Sequence, residues 1–139
     1  MAAAGKQQSD TQQSNAQQSN TQHATPVNLA IVCGPCSAAP ELRVLESGTR
    51  VASLSVRVPA GEQATSVPVT VWDPPAWIES LDAGDEVIVV GQVRRRFYSR
   101  PGGVGSRVDL EAVTIGRARD RRRVDAALRR ASRELDALV

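Results

Sequence analysis

The sequence predicts an all-β domain with one short internal helix and a longer amphipathic helix at its C-terminal end. Three observations predict it. Val67, Val69 and Val71 alternate with Pro68, Thr70 and Trp72, the period-two pattern of a strand with two different faces. Val87–Val90 is a short apolar run bounded by Gly84 and Gly91, as expected of a barrel strand. Val124, Leu128, Ala131, Leu135 and Leu138 fall alternately four and three residues apart, which lays one apolar stripe along a helix.

The elements follow in order. Residues 7–21 are three pentapeptides, QQSDT, QQSNA and QQSNT. Such polar, low-complexity sequence buries too little apolar area to offset its ordering entropy, so residues 1–25 are expected to be a disordered Gln/Ser-rich tail. Val27–Cys33 reads as the first strand, and Cys33-Gly34-Pro35-Cys36 as a tight turn after it. Pro40-Glu41-Leu42-Arg43 is extended and Ser47-Gly48-Thr49 is a turn. The second strand is Val51–Val58 and the third is Val67–Trp72. A short helix over Pro74–Leu81 comes next, with Asp73 as its N-cap and Pro74 at its first position. The fourth strand begins at Val87 and runs through Gly91 into Arg94, Arg95, Arg96, Phe97 and Tyr98. Ser99–Ser106, with three Gly and one Pro, is a mobile hairpin tip, and Val108–Ile115 is the fifth strand. Five strands with a short helix between the third and fourth is the order of an OB-fold, a five-stranded Greek-key barrel, here over residues 26–116. Residues 117–139 form the Arg-rich amphipathic helix.

At 139 residues the chain holds one domain plus tails. Its net charge is only +2, and the charge is uneven. Residues 27–116 carry eight Arg against ten carboxylates, and residues 117–139 carry eight Arg against four. Attraction of the barrel for a polyanion must therefore come from local patches. The N-terminus lacks a secretory pattern and no apolar run could span a bilayer, so a cytoplasmic protein without membrane contact is expected. Two Cys and a single histidine, His23, are too few for a structural zinc site, and no cofactor is expected. With His23 in the tail, neither a Ser-His-Asp nor a Cys-His centre can form in the core, so the chain is not expected to be an enzyme. Cys33-Gly34-Pro35-Cys36 matches the thioredoxin tetrapeptide, but no helix pattern follows to lower a thiol pKa.

The order strand, Pro40–Arg43, Ser47–Thr49 turn and strand Val51–Val56, followed by the block Gly91–Tyr98, resembles the bacterial single-stranded DNA-binding proteins, the SSB family. The resemblance covers about residues 27–116 and implies an OB-fold barrel that binds single-stranded DNA. It further implies a homotetramer, or dimer of dimers, with the first strand near a subunit contact. Such an assembly would protect exposed strands in DNA replication, recombination and repair, close to the nucleoid. Two departures stand out. Pro59–Glu62 and Ser66-Val67 hold no aromatic where the family usually has further ones. The chain ends Leu135-Asp136-Ala137-Leu138-Val139 rather than in an acidic, Phe-terminated tip, so partner recruitment through such a tip is not carried over.

Single-strand binding needs cations for phosphates and flat side chains for bases. The four aromatics are Trp72, Trp77, Phe97 and Tyr98. Tyr98 and Trp72 fall at the family's aromatic positions and are the expected stacking platforms. Phe97 and Tyr98 are strand neighbours and should point to opposite faces. Trp77 lies beside Ile78 and Leu81 and reads as core. Arg94 and Arg96 share a face with Tyr98 by alternation, with Arg95 on the other; Arg43, Arg50, Arg57, Arg100 and Arg107 could extend the basic surface. The expected DNA-binding set is therefore Trp72, Tyr98, Phe97, Arg94, Arg96, Arg95, Arg43 and Arg57. The competing reading is an OB-fold assembly module with little DNA affinity, acting through its amphipathic helix.

Overall fold

The computed structural model describes residues 25–138. The tail expected over residues 1–25 lies outside them, Thr25 excepted. Six strands form one sheet: β1 (Ala30–Pro35), β2 (Glu41–Val44), β3 (Arg50–Ala60), β4 (Gln63–Trp72), β5 (Glu86–Arg100) and β6 (Gly103–Arg117), in the spatial order β1-β5-β6-β4-β3-β2. Neighbours pair antiparallel except β4 and β6, which run parallel.

The expectation of five strands is corrected to six. Glu41–Val44 is a strand in its own right, laddered on β3 from Glu41↔Ser53 to Val44↔Arg50. It is exposed along its whole length, so no apolar alternation marks it in the sequence. The first strand begins at Ala30 rather than Val27. Asn28 takes the place of a ladder there: its side-chain amide donates to the Val93 carbonyl at 2.9 Å and accepts from the Val93 N–H at 2.8 Å.

Both long hairpins turn on two residues. Ala60 pairs with Gln63 across Gly61-Glu62, and Arg100 pairs with Gly103 across Pro101-Gly102. Pro101 supplies the fixed φ of the first turn position, and Gly102, at φ 90°, supplies the left-handed second one. The segment Ser99–Ser106, expected as a mobile hairpin tip, is a hairpin whose turn is only Pro101-Gly102, the rest being strand.

The helix expected over Pro74–Leu81 is a single 3-10 stretch, Ala76–Ser80. Asp73 does not cap it. Asp73 sits at φ 49°, a conformation Asp tolerates better than most residues, and turns the chain out of β4. Pro75 holds the capping position and makes no side-chain cap. The segment still works as a lid on the barrel, because Ile78 and Leu81 are fully buried in the core. Trp77 packs half-buried against the same core, as its neighbours suggest.

The barrel interior is built from alternate residues: Ala52, Leu54 and Val56 of β3, Val69 and Val71 of β4, Val87 and Val89 of β5, and Leu110 and Ile115 of β6. β1 closes it by crossing β3. Cys36 bridges Val56, and the Ser37 N–H donates to the Ser55 carbonyl at 2.9 Å.

The C-terminal helix, α1, spans Arg121–Asp136, shorter than the expected 117–139. Asp120 caps it by accepting from the Arg123 N–H. Its buried residues are Ala127 and Ala131, packed on Val90 and Leu29, whereas Leu128, Leu135 and Leu138 stay exposed. The small side chains let the helix lie close to β5, so the leucine side of the expected stripe is not what docks. None of the helices among the described residues is long and apolar enough to cross a membrane.

Candidate nucleic-acid interface

Directly paired residues of neighbouring strands share a face. The hairpin of β5 and β6 is held by Arg94↔Asp109, Arg96↔Arg107 and Tyr98↔Gly105. These six positions, with Gln92↔Glu111, form one side of the arm. The other side carries Val93, Arg95, Phe97 and Ser99 of β5 with Ser106 and Val108 of β6. The first side continues onto β4: Arg96 places its guanidinium 5.8 Å from the centre of the Trp72 ring, and Thr70 reaches Asp109.

Trp72 and Arg96 thus meet, and Tyr98 lies on the same side further along the arm. Trp72 is 39% exposed and Tyr98 46%, so both rings offer a face to solvent while keeping an anchored edge. Tyr98 is seated by its cross-strand partner. A Cβ on Gly105 would collide with the Tyr98 ring, so the ring lies across bare backbone. Arg43 joins the surface through the row Arg43–Val51–Trp72. Arg57 lies on the same side of β3, two positions past Ser55. Arg107 lines a groove of about 250 Å³ with Ser37, Glu41, Ser53, Ser55 and Pro68. Among the described residues Arg43, Arg57 and Arg107 make no ion pair.

Alternation correctly separates Phe97 from Tyr98. Phe97 is 70% exposed on the far side of the arm, beside Arg95, which donates to Ser106 at 3.2 Å. Those two are not brought to the Trp72–Tyr98 surface.

The carboxylates on that surface are what residue-by-residue reading missed. Arg94 pairs with Glu111 at 3.2 Å, and Arg96 Nε donates to Asp109 Oδ2 at 2.8 Å. The two pairs differ physically. Arg94 is half exposed, and such a pair is worth about 0–1 kcal/mol and is screened by salt. Asp109 is 2% exposed, and its Oδ2 also accepts from Thr70 Oγ1 at 2.7 Å. Removing one partner of a buried pair typically costs about 3–5 kcal/mol, because the other charge is left uncompensated. Arg94 can exchange its carboxylate for another anion, whereas Arg96 is tied down. Placing Pro101-Gly102 as a two-residue turn would have revealed the pairing, since that turn alone fixes the register.

The cysteines do not form a redox pair of the thioredoxin kind. Both are free, Cys33 exposed and Cys36 buried against the core. Burial pushes the Cys36 thiol above its ordinary range, and Asp85 adds to the rise. In a thioredoxin-type pair the attacking thiol is the first cysteine at a helix N-terminus, whereas Cys33 lies within β1, paired with Ile88 of β5. Ellman's reagent at neutral pH is expected to titrate Cys33 in the folded protein and Cys36 only after denaturation; equal, fast reaction of both thiols would contradict the buried site.

The family model described as the single-strand binding protein family matches residues 27–117. Among solved structures, the wild-type single-stranded DNA-binding protein from Thermus aquaticus is similar at 26% identity with a TM-score of 0.55, covering 66% of this chain and 40% of that one. A deletion mutant of the Thermus aquaticus protein gives 24% identity and a TM-score of 0.58, covering 70% of this chain and 43% of that one, a likeness of fold alone. The chain thus spans about two-fifths of the length of these two. No curated protein matches it.

Proposed function

The chain belongs to the single-strand binding protein family, a family of non-enzymatic DNA-binding proteins, and from that premise we propose that it binds single-stranded DNA with little sequence preference. The observation that carries the reading is the exposure of Trp72 and Tyr98 on one surface, with Arg96 against the Trp72 ring and Arg94 on the same side. Two half-exposed rings offer stacking to any base, because every base has a π-face. Arg94, Arg107, Arg43 and Arg57 neutralise phosphates around them, Arg94 by exchanging Glu111 for a phosphate. Phe97 and Arg95, on the far side of the arm, engage DNA only where a strand wraps around the hairpin. The protein acts as a homotetramer or dimer of dimers in the cytoplasm, covering exposed strands during replication, recombination and repair.

The test is quenching of intrinsic Trp fluorescence by poly(dT) across a salt series. Strong quenching with affinity falling steeply as salt rises is the expected result, because stacking and counterion release act together. Absence of binding at low salt would overturn the reading.

One observation favours a second reading, an OB-fold assembly module with little DNA affinity. The far side of the arm exposes Val93, Phe97, Val104 and Val108, and α1 exposes Leu128 and Leu135. Under that reading poly(dT) leaves the fluorescence unchanged, and Phe97→Ser or Leu128→Ser alters the sedimentation coefficient.

A further inference from the structure

We propose that Asp109 is a positioning residue of the DNA-binding face, fixing Arg96 against Trp72 and committing the Arg96 charge to the fold rather than to phosphate. The proposal rests on the reading that this face binds single-stranded DNA.

Four groups form a chain. Thr70 Oγ1 donates to Asp109 Oδ2 at 2.7 Å, and the same oxygen accepts from Arg96 Nε at 2.8 Å. The guanidinium then lies 5.8 Å from the centre of the Trp72 ring. The first two residues are buried, Thr70 within β4 and Asp109 within β6, so the anchor sits beneath the surface, on strands rather than loops. A cation held there presses one face of the ring and leaves the rest of it for a base.

Burial also decides where the charge is spent. Asp109 Oδ1 and Arg96 Nη2 are both shut off from solvent, and neither has a hydrogen-bond partner among the described residues. Glu111 Oε1 lies 3.9 Å from Arg96 Nη2 and adds a second negative charge. Asp109 therefore depends on Arg96 for compensation, and Arg96 cannot turn to a phosphate without stranding a buried carboxylate. On sequence alone Arg96 and Arg94 look like equivalent phosphate ligands; the geometry makes Arg94 the exchangeable one and Arg96 the support of the stacking ring.

The experiment uses the full chain in a Trp77→Phe background, so that emission reports Trp72. Two variants are compared with that parent: Asp109→Leu, which frees Arg96, and Arg96→Met with Asp109→Leu, which leaves no buried charge and so protects folding. Thermal melts establish that each is folded. In the free protein, acrylamide quenching of Trp72 is expected to rise in Asp109→Leu, because the guanidinium leaves the ring. With dT oligonucleotides, the slope of log K against log salt is expected to match the parent in the double variant. It should steepen by about 0.7 in Asp109→Leu, the increment for one further phosphate neutralised on a single strand. A purely structural role for Asp109 would not change that slope. The proposal is overturned if acrylamide quenching is unchanged in Asp109→Leu. It is equally overturned if the double variant loses about 0.7 of slope, which would make Arg96 a direct phosphate ligand. Should the parent bind no dT at all, the proposed function fails by itself, and the acrylamide arm still decides whether Asp109 holds Arg96 on the ring.

Discussion

Tyr98→Ala is expected to weaken binding of a dT oligonucleotide by about 1–3 kcal/mol, roughly 5- to 150-fold, the cost of one lost stacking platform. The melting temperature should stay close to that of the parent. Tyr98 lies outside the core and covers the bare backbone of Gly105, so its removal opens no cavity. Phe97→Ala is the internal control. It deletes an aromatic of similar size from the next position, but from the opposite side of the arm and at greater exposure. Isothermal titration at low salt separates the two. Selective loss with Tyr98→Ala supports the Trp72–Tyr98 surface as the base path. An equal or larger loss with Phe97→Ala would put the path on the far side and remove the site argued above.

That contrast rests on strand alternation, which is why this much of the site was legible in the sequence. Arg94, Arg96 and Tyr98 fall on one side of β5, and Arg95 and Phe97 on the other, from period two alone. What faces them from β6 was not legible in the same way. The partner of Arg94 depends on the register, and the register depends on whether the chain turns at Pro101-Gly102 or across a longer loop. A loop over Ser99–Ser106 leaves Asp109 and Glu111 unassigned. The tight turn sets Asp109 opposite Arg94 and brings it within reach of Arg96. Local charge counting finds the basic run but not its neutralisation, because neutralisation is a cross-strand property.

The fold shows the same division. Val67–Trp72 and Val87–Val90 announce themselves because one face or both are buried. β2 does not, because all four of its residues are exposed and its stability comes from backbone pairing with β3. On α1 the eye is drawn to Leu128 and Leu135, the largest apolar groups, yet the docked residues are Ala127 and Ala131. Close approach of a helix to a sheet is limited by side-chain size, so at this contact the smaller residues were the better guide. Asp before Pro suggests a helix cap at Asp73; the left-handed turn it makes instead places Trp72 at the very end of β4, beside the arm.

Gly34→Ala is expected to destabilise the fold at the point where the barrel closes. β1 crosses β3 at this point, and a Cβ on Gly34 would collide with the Arg57 carbonyl, with the Val56 side chain close behind. Backbone on a paired strand cannot yield as a flexible side chain can, so the strain falls on the crossing itself. Overpacking of this kind costs about 1–3 kcal/mol. For a domain of this size that is a fall in melting temperature of roughly 4–8 °C per kcal/mol. The damage should be local before it is global. The Ser37 N–H to Ser55 carbonyl bond and the Cys36–Val56 bridge lie just beyond the crossing. Amide exchange at Cys36 and Ser37 should therefore accelerate more than exchange at Val69 or Val89, deep in the barrel. Closure also bears on function, because the residue whose carbonyl abuts Gly34 is Arg57, one of the proposed phosphate ligands. A loosened crossing should weaken dT binding while leaving the stacking contribution of Tyr98 intact, so the losses from Gly34→Ala and Tyr98→Ala should add. An unchanged melting temperature and unchanged exchange at Ser37 would show that β1 has room at this crossing, and that the barrel is not closed by the contact described.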